Sequence, residues 1–138
     1  MDANAHSLQF VTTETVLTKH VRDLLITAFE GGSNYWYRGL RCGELPAGTR
    51  KADLECWYAE VPLQEGGSVK FKDAYEPDTD LIDDDGYYSL TLVGVTRGLA
   101  IMRENHPRHW ADFTQKNDDA ITADVFLQCC IFGEIVYG

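Results

Sequence analysis

The chain has 138 residues, 44% apolar and 25% charged, a size and balance that fit one globular domain without a stabilising disulfide or metal. Its 22 acidic and 12 basic residues leave a formal net charge of −10, which counts against direct binding of nucleic acid or an anionic membrane surface. No apolar run approaches the roughly 20 residues needed to cross a bilayer.

The opening MDANAHSLQF has no basic stretch ahead of an apolar run, so no export signal is expected. Cys42, Cys56, Cys129 and Cys130 lack paired CxxC spacing and read as reduced thiols in a cytoplasm. SLQFVTT alternates and is β-branched, which predicts a first strand over 8–12. From Thr13 the period changes. Val16/Leu17, His20/Val21, Leu24/Leu25 and Ala28/Phe29 recur every four residues, the apolar stripe of a helix over 14–30. Thr13 is its expected N-cap, Glu14 suits its first turn, and Gly31-Gly32 supply a left-handed end.

NYWYRGL reads as a strand over 34–40 with Tyr35 and Tyr37 on one face and Trp36 on the other. RCGELPAGTRK is a loop. LECWYAEVPL and GGSVKFKDA have strand composition over 54–61 and 68–72 and predict a hairpin. The segment DAYEPDTDLIDDD, residues 73–85, follows. It holds seven acids and no Lys or Arg, and the rest of the chain has 15 acids against 12 bases. Gly86 then turns into YYSLTL, a short strand or extended lead-in. Leu92, Val95, Leu99 and Met102 mark a helix over 92–105 with Thr91 as N-cap and Pro107 as its stop. Gly94 and Gly98 each weaken it by about 1 kcal/mol relative to Ala, and their spacing suits close packing on another element. HWADF predicts a short helix with Trp110 and Phe113 facing inward. The last helix spans 120–132, capped by Asp118 or Asp119 and stopped by Gly133, with a stripe of Ile121, Val125, Gln128/Cys129 and Phe132. These elements predict an α+β domain over 1–138: a small antiparallel sheet of three to five strands against three to four helices. Its expected core is Leu24, Leu25, Phe29, Trp36, Leu99, Phe126 and Phe132.

No motif fixes a reaction. GELPAGTR has the glycine spacing of a phosphate loop, but Thr49 stands where the lysine belongs. IDDDGYY echoes a calcium loop, yet its first and twelfth positions are Leu81 and Leu92. Ser33 follows a helix rather than a strand, so it is not a nucleophile elbow. Pro107 between His106 and His109 spoils helical pairing for a metal, Glu104 and Asp112 notwithstanding. Neither a metal nor a cofactor is expected.

Glu30 and Glu134 each stand near an apolar helix end, where a carboxylate opposes the helix dipole. They read as partly buried, held by Arg38, Arg41 or Arg97, and as a structural pair rather than a catalytic one. Asp124 and Gln128 share one face of the last helix, either its solvated face, the preferred reading, or a polar anchor inside the bundle.

The segments TAFEGGSNYWY and ADVFLQCCIFGEIVYG, with GLAIM and HWADF, resemble a family of small bacteriophage and prophage proteins. The resemblance runs from the first helix to the C-terminus and is weak over residues 40–88. It implies a viral context, with no catalytic residue to carry over. The leading expectation is a non-enzymatic accessory protein in the host cytoplasm, a monomer or homodimer. It would inhibit a host nucleic-acid-handling or defence complex, a protein or nucleoprotein partner, through Asp73, Glu76, Asp78, Asp80, Asp83, Asp84 and Asp85. The alternative is a nucleotide-binding protein in which Tyr35, Trp36 and Tyr37 stack a base and Asn34 reads its edge. An enzyme using Glu30 and Glu134 ranks last.

Overall fold

The structure, a computed structural model, describes residues 7–11 and 14–138. It is α+β, with five α-helices, an antiparallel two-stranded sheet and an antiparallel three-stranded sheet among the described residues. The first pair is β1 (Ser7–Val11) and β2 (Glu14–Leu17), in a register that sets Leu8 opposite Val16. Residues 14–17 are therefore strand, not the first turn of a helix. Leu8, Phe10 and Val16 alternate with exposed neighbours and pack on the core, so here the two-residue period prevails over the four-residue stripe. Thr13, the expected N-cap, lies outside the described residues, and Leu17 occupies the capping position.

Helix α1 (Thr18–Thr27) buries Val21, Leu24 and Leu25. It does not end in a left-handed glycine. Instead it widens into a π turn over Ala28–Gly32, closed by the Ser33 N–H donating to the Ala28 carbonyl at 2.8 Å. A Cβ on Gly32 would collide with the Ala120 carbonyl, so this glycine permits a close approach to the last helix.

The larger sheet has the order β3 (Tyr37–Cys42), β4 (Ser68–Asp73), β5 (Tyr88–Thr91). Strand β3 begins at Tyr37 rather than residue 34, and the ladder shifts register between Arg38 and Arg41 around Gly39, whose φ is +68°. The expected strand over 54–61 is absent, and with it the expected hairpin. Trp57–Glu60 form a short helix, α2, and Val61–Leu63 a 3-10 turn. The Glu60 carboxylate accepts from the Cys56 N–H at 2.6 Å, satisfying a donor that a helix start leaves open. Pro62 would also have left a gap in a ladder. Both edges of β4 are taken instead by β3 and β5.

Helix α3 (Leu92–Asn105) is capped by Thr91 Oγ1, and α4 (Pro107–Thr114) starts on Pro107. Helix α5 (Ala120–Phe132) is capped by Asp119, which accepts from the Thr122 N–H at 2.9 Å, and ends at Gly133 with φ of 76°. It is the centre of the molecule: Thr122 through Ile131 are all buried. Helix α3 lies against it at Gly98, where an added Cβ would come within 2.9 Å of the Cys130 backbone. Six of the seven expected core residues are buried; Phe132 is half-buried.

Candidate functional site

From Thr122 to Ile131, α5 has no solvated face. Asp124 and Gln128 are therefore the interior polar anchor and not a wet stripe, with Asp124 8% exposed and Gln128 0%. Asp124 Oδ1 accepts from Ser33 Oγ and from the Trp36 indole N–H, both at 2.7 Å. Its Oδ2 accepts from Tyr35 Oη at 2.6 Å and from Gln128 Nε2 at 3.1 Å. Four donors meet two oxygens, and no lysine or arginine forms an ion pair with this carboxylate among the described residues. The charge is held by neutral dipoles, the arrangement that makes a buried carboxylate tolerable without a counter-ion. The π turn positions three of the donors: after it, the Trp36 and Tyr37 N–H groups both fold back onto the Ser33 carbonyl, which delivers Ser33, Tyr35 and Trp36 to one residue of α5. Burial, and then the bond to Asp124, raise the Tyr35 hydroxyl well above the ordinary phenol range, so it stays a proton donor.

The network continues. Gln128 Oε1 accepts from the Val136 and Tyr137 N–H groups at 2.7 and 2.8 Å, and its Nε2 donates to the Tyr137 carbonyl at 3.0 Å. This one amide ties the C-terminal residues to α5. The Tyr137 ring stacks on Trp36 with centroids 5.6 Å apart at 18°. Its hydroxyl reaches both oxygens of Asp73 at 2.8 Å, where Tyr88 Oη also donates at 2.8 Å. Burial and then Asp73 push the Tyr137 hydroxyl up to about 12. A continuous chain of hydrogen bonds thus joins the end of α1 to the root of the acidic segment.

Compared with protein families, curated proteins and solved structures, the chain matches none.

The acidic residues divide into two sets. Asp73 is buried among tyrosines, so it is an internal anchor and not part of a docking face. Asp83 is also structural. It pairs with Lys70 at 2.8 Å and accepts from the Asp85 and Tyr87 N–H groups at 2.9 Å. Those partners, Lys70 first, hold its carboxyl down at about 2. The other five, Glu76, Asp78, Asp80, Asp84 and Asp85, are exposed and form no ion pair among the described residues. The loop that carries them is pinned along its length. Tyr88 Oη accepts from the Asp78 N–H at 3.0 Å, Asp78 Oδ1 accepts from the Asp80 N–H at 3.0 Å, and the Asp83 N–H donates to the Tyr87 carbonyl at 2.9 Å.

The expected base-stacking cluster is dispersed. Trp36 is fully buried between Phe71, Phe132 and Tyr137, with no free face for a base. Tyr37 is half-buried, its hydroxyl donating to the Phe29 carbonyl. Only Asn34 and Tyr35 are exposed. The paired glutamates also dissolve. Glu30 is exposed and accepts from Tyr58, and Glu134 is exposed beyond Gly133. Neither pairs with Arg38, Arg41 or Arg97. Arg97 donates instead to the Cys130 carbonyl, and Arg41 lies 3.9 Å over the Tyr87 ring. No group of three His, Cys, Asp or Glu is placed to hold a metal among the described residues, and no helix there is long and apolar enough to cross a membrane.

Proposed function

We propose that this chain is a non-enzymatic binding protein that docks a basic surface of a partner protein through its acidic loop. One observation carries the reading: five exposed carboxylates, in no ion pair among the described residues, stand on a loop whose backbone is tied at Asp73, Asp78, Asp83 and Tyr88. A pre-ordered charged loop loses little conformational entropy on docking. Fixed carboxylates on such a loop can occupy a groove built for phosphates. The docking set is Glu76, Asp78, Asp80, Asp84 and Asp85; Asp73 and Asp83 serve the fold. The likeness of the flanking segments to phage and prophage proteins supports a host complex that handles nucleic acid or defends the cell as the target, met in the host cytoplasm.

The test uses the immobilised protein and a soluble extract of host cells, beside a variant carrying Glu76→Gln, Asp80→Asn, Asp84→Asn and Asp85→Asn. These four side chains accept no hydrogen bond that the loop needs among the described residues, so the variant keeps the fold. The expected result is a protein retained by the wild type, lost by the variant and displaced by duplex DNA. Equal retention on both columns, or retention indifferent to DNA, would contradict the proposal.

A further inference from the structure

Four of the chain's 12 basic residues meet on one face of the larger sheet. Strand β4 buries Val69, Phe71 and Asp73 against the core and turns Lys70 and Lys72, half-buried, the other way. In the ladder with β3, Lys72 lies opposite Arg38 and Lys70 opposite Arg41. Arg38 and Arg41 are three residues apart, so in a regular strand they would point to opposite faces. Between the two pairs β3 advances three residues and β4 only two; the extra residue, taken up around Gly39, brings both arginines to the lysines' face. Like charges directly opposite each other destabilise a sheet, and here two such pairs stand side by side. Lys70 is neutralised by Asp83 at 2.8 Å. Arg38, Arg41 and Lys72 form no ion pair among the described residues, and both arginines are exposed. The Tyr87 ring steadies two of these cations without discharging them: Arg41 Cζ lies 3.9 Å from its centroid and Lys72 Nζ 4.9 Å.

Beside this cationic face stands the tip of the acidic loop. The Gly86 N–H donates to the Asp83 carbonyl at 3.0 Å and closes a turn, and Tyr87 follows directly. The turn carries Asp84 and Asp85, both exposed and in no ion pair among the described residues. Asp83 fixes it in place, tied at once to Lys70 and to the Asp85 and Tyr87 N–H groups. Opposite charges thus lie side by side on an ordered surface and do not pair within the chain. Such a surface is self-complementary: a two-fold axis between the patches sets each patch of one copy against the opposite patch of the other. A long polyanion laid on the cations would run against Asp84 and Asp85, and the net charge of −10 adds to that repulsion. A second copy turns the same acids into partners.

We propose that this surface is a two-fold interface between copies of the chain, with Asp84 and Asp85 of one protomer set against Arg38, Arg41 and Lys72 of its partner. The contact is exposed and charged, so the dimer is weak and salt-sensitive. It does not rest on the host-docking reading; both use Asp84 and Asp85, so the dimer competes with docking.

The experiment is sedimentation equilibrium of the full chain in low and in molar salt, with two charge-reversed variants: Arg38→Glu, Arg41→Glu on the face and Asp84→Lys, Asp85→Lys on the tip. All four positions are exposed, so the variants keep the fold, which circular dichroism verifies. The wild type should be dimeric at about 100 µM in low salt and monomeric in molar salt, where the Debye length is about 3 Å. Each variant alone should be monomeric, because like charges then meet at both contacts. Their equimolar mixture should form a heterodimer, because both contacts are complementary again. The neutral pair Arg38→Gln, Arg41→Gln should weaken the dimer about tenfold. The proposal is overturned if the wild type is monomeric at both salts, if the neutral or reversed variants associate as the wild type does, or if the mixture of folded variants stays monomeric. A monomeric wild type that binds a single-stranded oligonucleotide through Arg38 and Arg41 would give the face to a polyanion and also overturn it. No host protein enters the readout, so its failure leaves the docking proposal standing.

Discussion

Asp124→Asn is the sharpest perturbation of the interior network, because it changes one atom in a site whose donors are counted. The amide has one accepting oxygen and one donating nitrogen, whereas the site supplies donors on both sides. The Trp36 indole N–H can only donate, so the oxygen must stay on the side of Ser33 and Trp36. The new NH₂ then faces Tyr35 and Gln128. The Tyr35 hydroxyl can rotate and accept. Gln128 cannot turn, because its Oε1 already serves the Val136 and Tyr137 N–H groups. One bond is therefore lost, its Gln128 donor left with only the longer 3.4 Å contact to Tyr35 Oη, at roughly 1–3 kcal/mol, and three charge-assisted bonds become neutral ones of about half the strength. The expected loss is about 3–4 kcal/mol, a large share of a typical stability of about 5–15 kcal/mol, or a fall in Tm of about 10–15 °C. Ser33→Ala leaves three donors on the carboxylate and should cost about 1 kcal/mol. Urea unfolding followed by tryptophan fluorescence measures both. If Asp124→Asn unfolds within about 0.5 kcal/mol of the wild type, the four-donor account is wrong.

Three further outcomes follow from the packing and the charges. Gly98→Ala should destabilise by about 1–3 kcal/mol or more, because the Cys130 backbone at 2.9 Å cannot retreat within α5; a thermal melt equal to the wild type would refute the close approach. Burial pushes the Cys129 thiol up to about 11 and raises the Cys130 thiol well above its ordinary value, so neither should react with iodoacetamide at pH 8 before unfolding, whereas half-buried Cys42 and Cys56 should label first by mass spectrometry. The Asp83 carboxyl is depressed to about 2 by Lys70 and Tyr87. Its tie to the loop is therefore complete above the ordinary aspartate value of about 4 and is lost as pH falls through about 2. The Tyr87 amide resonance should report that midpoint, and a midpoint near 4 would mean that the latch is absent.

Local signals carried much of the fold. Thr91, Asp119 and Gly133 cap their helices as their chemistry dictates, and the Gly94–Gly98 spacing does mark the face of α3 that lies on α5. The errors have physical causes. Val16 and Leu17 continue the stripe of α1, but they are β-branched or follow a β-branched residue and find β1 to pair with; tertiary pairing overrode the period. The run 54–61 is short and apolar, where period alone cannot separate strand from helix, and Glu60 capping Cys56 decides it. The candidate site was half legible. The four-residue spacing of Asp124 and Gln128 puts them on one face, but that face is interior and not the solvated one the sequence favoured. Their burial had a signal in ITADVFLQCCIF: a helix apolar all round has no wet side, so an aspartate within it must meet donors inside. That those donors are Ser33, Tyr35 and Trp36 depends on a contact across about 90 residues, which no local pattern carries.

The central claim is that the exposed acids of the loop steer a basic partner. The measurement that tests it most directly is the association rate of the retained partner as a function of salt, for the wild type and for the Glu76→Gln, Asp80→Asn, Asp84→Asn, Asp85→Asn variant. Exposed charges act over a Debye length of about 8 Å at physiological ionic strength. The wild-type rate should fall steeply between low salt and that point, while the variant should start about tenfold slower and stay nearly flat, with dissociation little changed in either. Parallel salt dependences for the two proteins would contradict the account.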